Sequence, residues 1–148
     1  MTARILIADR DPLVRDHCCR YLSAYGYGVT VAADGLQCVE QLRDSCPDLL
    51  VLDPEIFWGG GQGVLEWLQD VHPAAPMKIV LTDGHAQGVF PPERNRRTAG
   101  RLERPTGLAD LPAFAVGLQR FLSADAAPIR RSSRRNEPIR RSREEQRQ

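Results

Sequence analysis

The chain has 148 residues, of which 42% are hydrophobic and 26% are charged, and its formal net charge is +1. This length suits one domain with a substantial core, and the composition is that of an ordinary soluble globular protein. No apolar run is long enough to cross a membrane, and the N-terminal segment lacks the pattern of a signal peptide, so we expect a cytoplasmic protein.

Strand and helix signals alternate along the sequence. Short apolar or β-branched runs predict five strands, at residues 5–8, 28–33, 49–52, 78–82 and 100–103. Apolar side chains at helical spacing predict helices over residues 12–25, 36–45, 63–71 and 108–122. Residues 85–100 contain two adjacent prolines and two glycines, so we expect any helix there to be short or displaced.

The charge is distributed unevenly. Residues 1–123 carry 12 basic and 15 acidic side chains, whereas residues 124–148 carry eight arginines and four acids. The hydrophobic periodicity also disappears in this C-terminal stretch, which predicts a disordered arginine-rich tail. We therefore expect one domain over residues 1–123, followed by a tail over residues 124–148.

The four cysteines do not indicate a metal or redox site. They form no CxxC pair, the spacing typical of zinc sites and of thiol–disulfide motifs. We interpret them as reduced packing groups.

Polar side chains stand where three of the predicted strands end. Asp9 and Asp11 follow the first strand, Asp53 follows the third, and Thr82 ends the fourth. The carboxyl ends of parallel strands lie at one edge of a sheet, where the functional groups of α/β proteins collect. We therefore expect Asp9, Asp53 and Thr82 to converge in one site, in preference to three separate capping roles.

The order of these features resembles the receiver domain of bacterial two-component response regulators, over about residues 3–123. ILIADRDPLVR resembles the opening strand and acidic cluster of that family, and PDLLVLD resembles its phospho-acceptor strand. IVLTD and ERP match its hydroxyl position and the Lys-Pro after its fifth strand. The resemblance implies a three-layer, flavodoxin-like α/β sandwich with a five-stranded parallel sheet of order 2-1-3-4-5.

The resemblance also implies roles for individual residues. Asp53 takes the phospho-acceptor position, Asp9 and Asp11 belong to the acidic pocket, and Thr82 and Arg104 are expected to contact the phosphoryl group. Mg²⁺ is the one cofactor implied, and its ligands would be Asp9, Asp53 and the main chain of Glu55.

Two substitutions within the expected site depart from the family pattern. Arg10 occupies the second acid position, which usually touches the metal, and Arg104 replaces the usual lysine. Arginine only donates hydrogen bonds, so it cannot ligate Mg²⁺. A guanidinium about 5 Å from Mg²⁺ is repelled by roughly 6–7 kcal/mol at an effective dielectric near 20. We therefore expect weak or absent Mg²⁺ binding, with Arg10 neutralising the pocket by bridging Asp9 and Asp53.

The function indicated is a stand-alone receiver domain in phosphorelay signalling, which acts through contacts with a histidine kinase or another signalling protein. The resemblance places these contacts on the face formed by the family's fourth and fifth helices. We favour weak or lost phosphorylation at Asp53, and a fully competent Mg²⁺-dependent switch is the alternative. An enzyme is not indicated, because no general base has an orienting partner.

Two other binding functions are less well supported. The glycine-rich run at residues 59–63 lacks the spacing of a nucleotide-binding loop, so we interpret it as a rim loop that carries Phe57 and Trp58. The arginine-rich tail is an alternative site for nucleic acid or an anionic surface. Its four acids and its lack of aromatic residues argue against nucleic-acid binding.

Overall fold

The structure is a computed structural model that describes residues 2–72, 76–82 and 98–123. Its five parallel strands form one sheet in the order β2-β1-β3-β4-β5, which confirms the predicted topology. The strands are β1 Arg4–Ala8, β2 Gly28–Ala32, β3 Leu49–Leu52, β4 Lys78–Thr82 and β5 Thr98–Leu102. The described helices are α1 Pro12–Ala24, α2 Gly35–Asp44, α3 Gly60–Val71 and α4 Leu111–Ser123, the last preceded by a 3₁₀ turn at Leu108–Asp110.

Helices cover both faces of the sheet. Successive side chains of a strand point to opposite faces, so Leu50 and Leu52 pack with α2 and α3, whereas Leu49 and Val51 pack with α1 and α4. All four β3 side chains are buried, which explains their uninterrupted apolar run. The prediction of a three-layer sandwich is therefore confirmed.

Side-chain caps fix where the first two helices begin. Pro12 opens α1, where its rigid φ fits and its missing N–H costs nothing. The Asp11 carboxylate accepts a hydrogen bond from the Leu13 amide at 2.9 Å, and the Asp34 carboxylate accepts one from the Gln37 amide at 2.8 Å. Asp11 therefore has a structural role at the end of β1, whatever else it does.

Several predictions fall on residues outside the described part of the chain. These are the short or displaced helix before β5, most of which lies in residues 83–97, and the disorder of the tail at residues 124–148. Part of the surface formed by the family's fourth and fifth helices also lies there. None of the described helices combines the length and apolar character needed to span a bilayer.

The loop that follows β3 is held against the N-terminus of α2. The Gly35 amide donates a hydrogen bond to the Phe57 carbonyl oxygen at 2.7 Å, and a Cβ atom on Gly35 would collide with the Trp58 carbonyl oxygen. Trp58 adopts a φ of 65°, and the two glycines that follow also have positive φ, which turns the chain sharply into α3. The glycine-rich run thus allows close backbone packing beside the candidate site.

Helix α3 begins at Gly60, three residues before its predicted start. The Gly61 amide donates to the Pro54 carbonyl oxygen at 2.9 Å, and a Cβ on Gly61 would lie 2.9 Å from the Pro54 Cα. Tertiary contact therefore overrides the low helix propensity of these glycines.

We predict opposite effects of alanine at two glycines. Gly35→Ala should destabilise the domain by about 1–3 kcal/mol, because the added methyl group meets backbone atoms that cannot move aside easily. Gly63→Ala is the matched control: a Cβ there meets no atom within 4 Å, and alanine should stabilise α3 by about 0.5–1 kcal/mol. Urea unfolding measures both, and an equal effect at the two positions would contradict this account of the loop.

Candidate functional site

Three polar side chains are buried at the carboxyl edge of the sheet. The register aligns Ala8 with Leu52 and Leu52 with Leu81, so Asp9, Asp53 and Thr82 follow neighbouring strand positions. Their relative exposures are 1%, 0% and 0%, and in the described part of the chain they are the only buried polar or charged residues. The Thr82 hydroxyl donates to the Leu52 carbonyl oxygen at 3.4 Å. The structure thus brings together the three residues that the strand ends predicted.

Arg104 joins the two buried carboxylates. Its Nη1 atom lies 2.7 Å from Asp9 Oδ2, and its Nη2 atom lies 3.2 Å from Asp9 Oδ1. The same Nη1 lies 3.3 Å from Asp53 Oδ2. The planar fork of a guanidinium suits this two-point contact with a carboxylate. Because the Arg104 side chain is only 13% exposed, the bridge is largely shielded from water.

Arg10, which follows the end of β1, also contacts Asp53. Its backbone N–H donates to Asp53 Oδ2 at 3.2 Å, and its Nε lies 3.4 Å from the same oxygen. Its Nη2 lies 3.2 Å from Glu55 Oε2, and the side chain is 33% exposed. The predicted contact of Arg10 with Asp53 is therefore present, but the prediction that Arg10 also reaches Asp9 is wrong. Arg104 contacts both carboxylates, and its fork occupies both oxygens of Asp9.

Each oxygen of the two buried carboxylates accepts a hydrogen bond or ion pair from nitrogen. Asp9 Oδ1 accepts from the Asp11 amide at 2.8 Å as well as from Arg104. Asp53 Oδ1 accepts from the Glu55 amide at 3.0 Å, and Asp53 Oδ2 meets both arginines. The Asp11 carboxylate caps α1, so that residue reaches Asp9 through its backbone. Glu55 likewise reaches Asp53 through its main-chain N–H.

Burial and charge act in opposite directions on the pKa values of the bridge. Burial raises the pKa of the Asp9 carboxyl above its usual range, although its hydrogen bonds from Arg104 and Asp11 oppose this. Burial lowers the pKa of Arg104, but the hydrogen bond to Asp9 and the charges of Asp9 and Asp53 outweigh it, so the pKa is raised overall. Arg104 is therefore a permanent cation in the site.

The arrangement does not fit Mg²⁺. This ion needs near-octahedral oxygen ligands, whereas the oxygens of Asp9 and Asp53 are occupied by nitrogen donors, three of which belong to the guanidinium groups of Arg10 and Arg104. Among the described residues, no group of three or more His, Cys, Asp or Glu side chains is placed to hold a metal ion. The carboxylates of Asp9 and Asp53, two members of the implied ligand set, are thus engaged otherwise.

Arg15 is a contributor that the sequence did not reveal. Its Nη1 atom donates to the Asp9 carbonyl oxygen at 2.8 Å, which fixes the backbone at the end of β1. Its position in the first turns of α1, just after the acidic segment, is the one signal in the sequence that could have suggested this contact.

Comparison with known proteins identifies the family. A model of the response regulator receiver domain matches residues 5–90, which is more than half of the chain. The chain therefore belongs to the response regulator receiver family, whose members act in two-component signalling.

Individual relatives agree with this assignment. The response regulator MprA of Mycobacterium sp. (strain KMS) is 30% identical over 128 residues, 86% of this chain and 55% of that protein. The chain thus spans about half the length of the curated relatives it matches. A receiver domain from Methanoculleus marisnigri JR1 has 25% identity and a TM-score of 0.61, over 76% of this chain and 93% of that one. The response regulator domain of Thermotoga maritima CheB, at 21% identity and a TM-score of 0.69, covers 83% of this chain and 95% of its own, and supports the fold.

We predict that Arg104 contributes far more to stability than Arg10. Arg104→Ala leaves the Asp9 carboxylate buried without its cation, which should cost about 3–5 kcal/mol at neutral pH. Arg10→Ala removes a partly exposed contact and should cost about 0–1 kcal/mol. Urea unfolding of the two variants measures the difference, and equal losses would argue against the bridge.

The loss of stability in the Arg104→Ala variant should also depend on pH. Without Arg104 the folded-state pKa of Asp9 rises further above its unfolded value, so the folded state is favoured when Asp9 is protonated. The defect should therefore grow as pH rises through this pKa and shrink below it. Asp9→Asn in the Arg104→Ala background should recover most of the stability and remove the pH dependence. If it does not, the defect has another cause.

Proposed function

We propose that this receiver domain carries an arginine-neutralised acceptor site, in which phosphorylation of Asp53 is weak or lost. The observation that carries the proposal is the position of Arg104, whose Nη1 contacts Asp9 Oδ2 at 2.7 Å and Asp53 Oδ2 at 3.3 Å. A fixed guanidinium neutralises both carboxylates there, whereas the family pattern uses a dissociable metal ion.

The chemistry of phosphoryl transfer supports this proposal. An oxygen of Asp53 would have to attack the phosphorus atom while the bond to the leaving oxygen breaks. Asp53 Oδ2 meets Nε and the backbone N–H of Arg10 as well as Arg104, and Oδ1 accepts from the Glu55 amide. An attacking oxygen must give up at least one of these contacts. If Arg104 moves to the phosphoryl group, Asp9 loses its cation while it remains buried.

Signalling by such a site would depend on protein contacts. We propose a histidine kinase or another signalling protein as the partner, and a binding module in preference to an enzyme. The supporting observation is that each oxygen of Asp9 and Asp53 already accepts from a nitrogen, which leaves these groups poorly placed to act as a general base.

A competent Mg²⁺-dependent switch is the competing function within the family. It requires both guanidinium groups to leave the carboxylates. Arg10 is one-third exposed and is held at its tip by the exposed Glu55, so it can move. Arg104 is only 13% exposed and makes two hydrogen bonds to Asp9, which disfavours this alternative. Binding of nucleic acid or an anionic surface by the basic tail concerns residues outside the described part of the chain.

The test is the intact mass of the protein after incubation with acetyl phosphate and Mg²⁺. We expect little or no phosphoryl adduct on the unmutated chain. Rapid Mg²⁺-dependent uptake that is lost in Asp53→Asn would overturn the proposal in favour of an ordinary phospho-switch. Adduct that persists in Asp53→Asn would indicate modification at another residue.

We predict that Arg10→Asp/Arg104→Lys restores both Mg²⁺ binding and phosphorylation at Asp53. The double variant should lose about 1–3 kcal/mol of stability without metal, because three carboxylates then repel one another. Added Mg²⁺ should recover part of this loss, since a ligand that binds only the folded state stabilises it. Thermal unfolding with and without Mg²⁺ measures both effects.

Arg10→Asp alone is the informative control. It should respond to Mg²⁺ less than the double variant, because Arg104 still occupies Asp9 and Asp53. An equal response of the single and double variants would show that Arg104 does not obstruct the metal.

A further inference from the structure

Helices α2 and α3 carry an exposed acidic surface on one side of the sheet, which we call the α2–α3 face. Its exposed charged residues are one base and four acids: Arg43, and Glu40, Asp44, Glu66 and Asp70. Among the described residues, none of these four carboxylates takes part in an ion pair. The face therefore has a formal charge of −3 that the described part of the chain leaves uncompensated.

The opposite helical layer has the reverse sign. The charged residues of α1 and α4 are three bases and one acid, Arg15, Arg20, Arg120 and Asp16, which gives +2. A cationic partner is thus attracted to the α2–α3 face and repelled by the other layer.

The acids of the α2–α3 face lie where a helix tolerates them least. Asp44 is the last residue of α2, and Asp70 is the last but one of α3. Carbonyl groups at helix C-termini already carry partial negative charge, and carboxylates four residues apart repel each other, as in the pairs 40/44 and 66/70. Helix α3 has no base in its last turn. A bound cation would relieve this repulsion.

The chain itself supplies a cationic segment at the right place. Residues 124–148 carry eight arginines against four acids, and six of these arginines form adjacent pairs at residues 130–131, 134–135 and 140–141. Helix α4 ends at Ser123, at the sheet edge where α2 and α3 also end. One cleft at this edge is lined both by Leu122, near the end of α4, and by Cys46, just beyond α2. The segment therefore begins at the edge of the sheet near the end of α2.

The length of the segment is sufficient for the contact. Twenty-five residues can reach at most about 80–90 Å, and the sheet with one helical layer is about 20 Å thick. Attachment to the same molecule gives an effective concentration in the millimolar range. At this effective concentration, several ion pairs between arginine and carboxylate can form at the same time even though each is weak.

Exposed aromatic side chains extend the same face. Phe57 and Trp58, 66% and 74% exposed, lie just before α3, and Leu36, 54% exposed, lies in the first turn of α2. Arginine stacks favourably on aromatic faces, so the later arginines of the segment have partners at the far end of these helices.

We propose that residues 124–148 dock on the α2–α3 face of their own domain, with their arginine pairs on Glu40, Asp44, Glu66 and Asp70. The docked segment covers the acidic layer and leaves the α1–α4 layer open to partners. This inference is independent of the proposed function, since none of these four acids contacts Asp53 in the structure.

Paramagnetic relaxation tests the proposal on the full-length chain. A nitroxide spin label is attached to the thiol introduced by Ser133→Cys. The same variant carries Cys19→Ser and Cys46→Ser, so that the two accessible native thiols are not labelled. Cys18 and Cys38 remain, because both are buried and burial raises the pKa of each thiol to about 12. At low salt, amide signals of the α2–α3 face should lose intensity while those of α1 and α4 keep it. Raising the ionic strength from about 0.05 M to about 0.5 M should restore the lost signals.

The controls separate the outcomes. Glu40→Gln/Asp44→Asn/Glu66→Gln/Asp70→Asn should abolish the effect, whereas Asp16→Asn, the matched neutralisation on α1, should leave it intact. Signal loss in an isotope-labelled chain mixed with an unlabelled, spin-labelled chain would assign the contact to a second copy and overturn the proposal. Equal loss on both helical layers, or none on the α2–α3 face, would overturn it as well.

Discussion

The ion pair between Arg104 and the two buried aspartates is the interaction on which the carboxyl edge of the sheet depends. Asp9 and Asp53 are almost completely buried, and neighbouring buried carboxylates repel each other strongly in a low-dielectric interior. Burial alone would favour the neutral acids. A guanidinium that contacts both residues compensates the charge and also satisfies the oxygens as hydrogen-bond acceptors. The sheet can therefore place charged side chains at the ends of its most buried strands.

A covalently attached cation has different consequences from a bound metal ion. A metal exchanges with solvent, so a site that holds one can change its charge when a ligand arrives. Arg104 stays within the site unless the segment after β5 moves, and its raised pKa keeps it charged. On the proposed function, this favours a single arrangement of the acceptor edge, and the response of the domain comes from the proteins that bind it.

The elements of the fold could be predicted from the sequence because their signals are local. The four apolar residues of β3, LLVL, predict a strand that is buried on both faces. Apolar runs that alternate with segments of helical spacing predict a parallel sheet with helices on both sides. The partner of Asp9 was not predictable in this way, because Arg104 lies 95 residues further along the chain. The sequence indicates that arginines lie in the site. Only the packing of the folded chain determines that Arg104 contacts both Asp9 and Asp53. The early start of α3 has a similar cause, since the contact between Gly61 and Pro54 outweighs local propensity.

The charge balance shows what the arginine at position 10 does to the site. In the family pattern that the sequence resembles, two adjacent acids and the acceptor provide three negative charges, which one lysine and a divalent ion neutralise. Here Asp9 and Asp53 contribute two negative charges, and Arg10 and Arg104 contribute two positive charges, so the charges of these four side chains already sum to zero. On the proposed function, a divalent ion added to this site leaves an excess charge of +2 beside two buried carboxylates, which disfavours its binding. At position 10, an arginine stands where the family pattern has an acid. This one replacement makes the net charge of the site more positive by two units, which equals the charge of the metal ion.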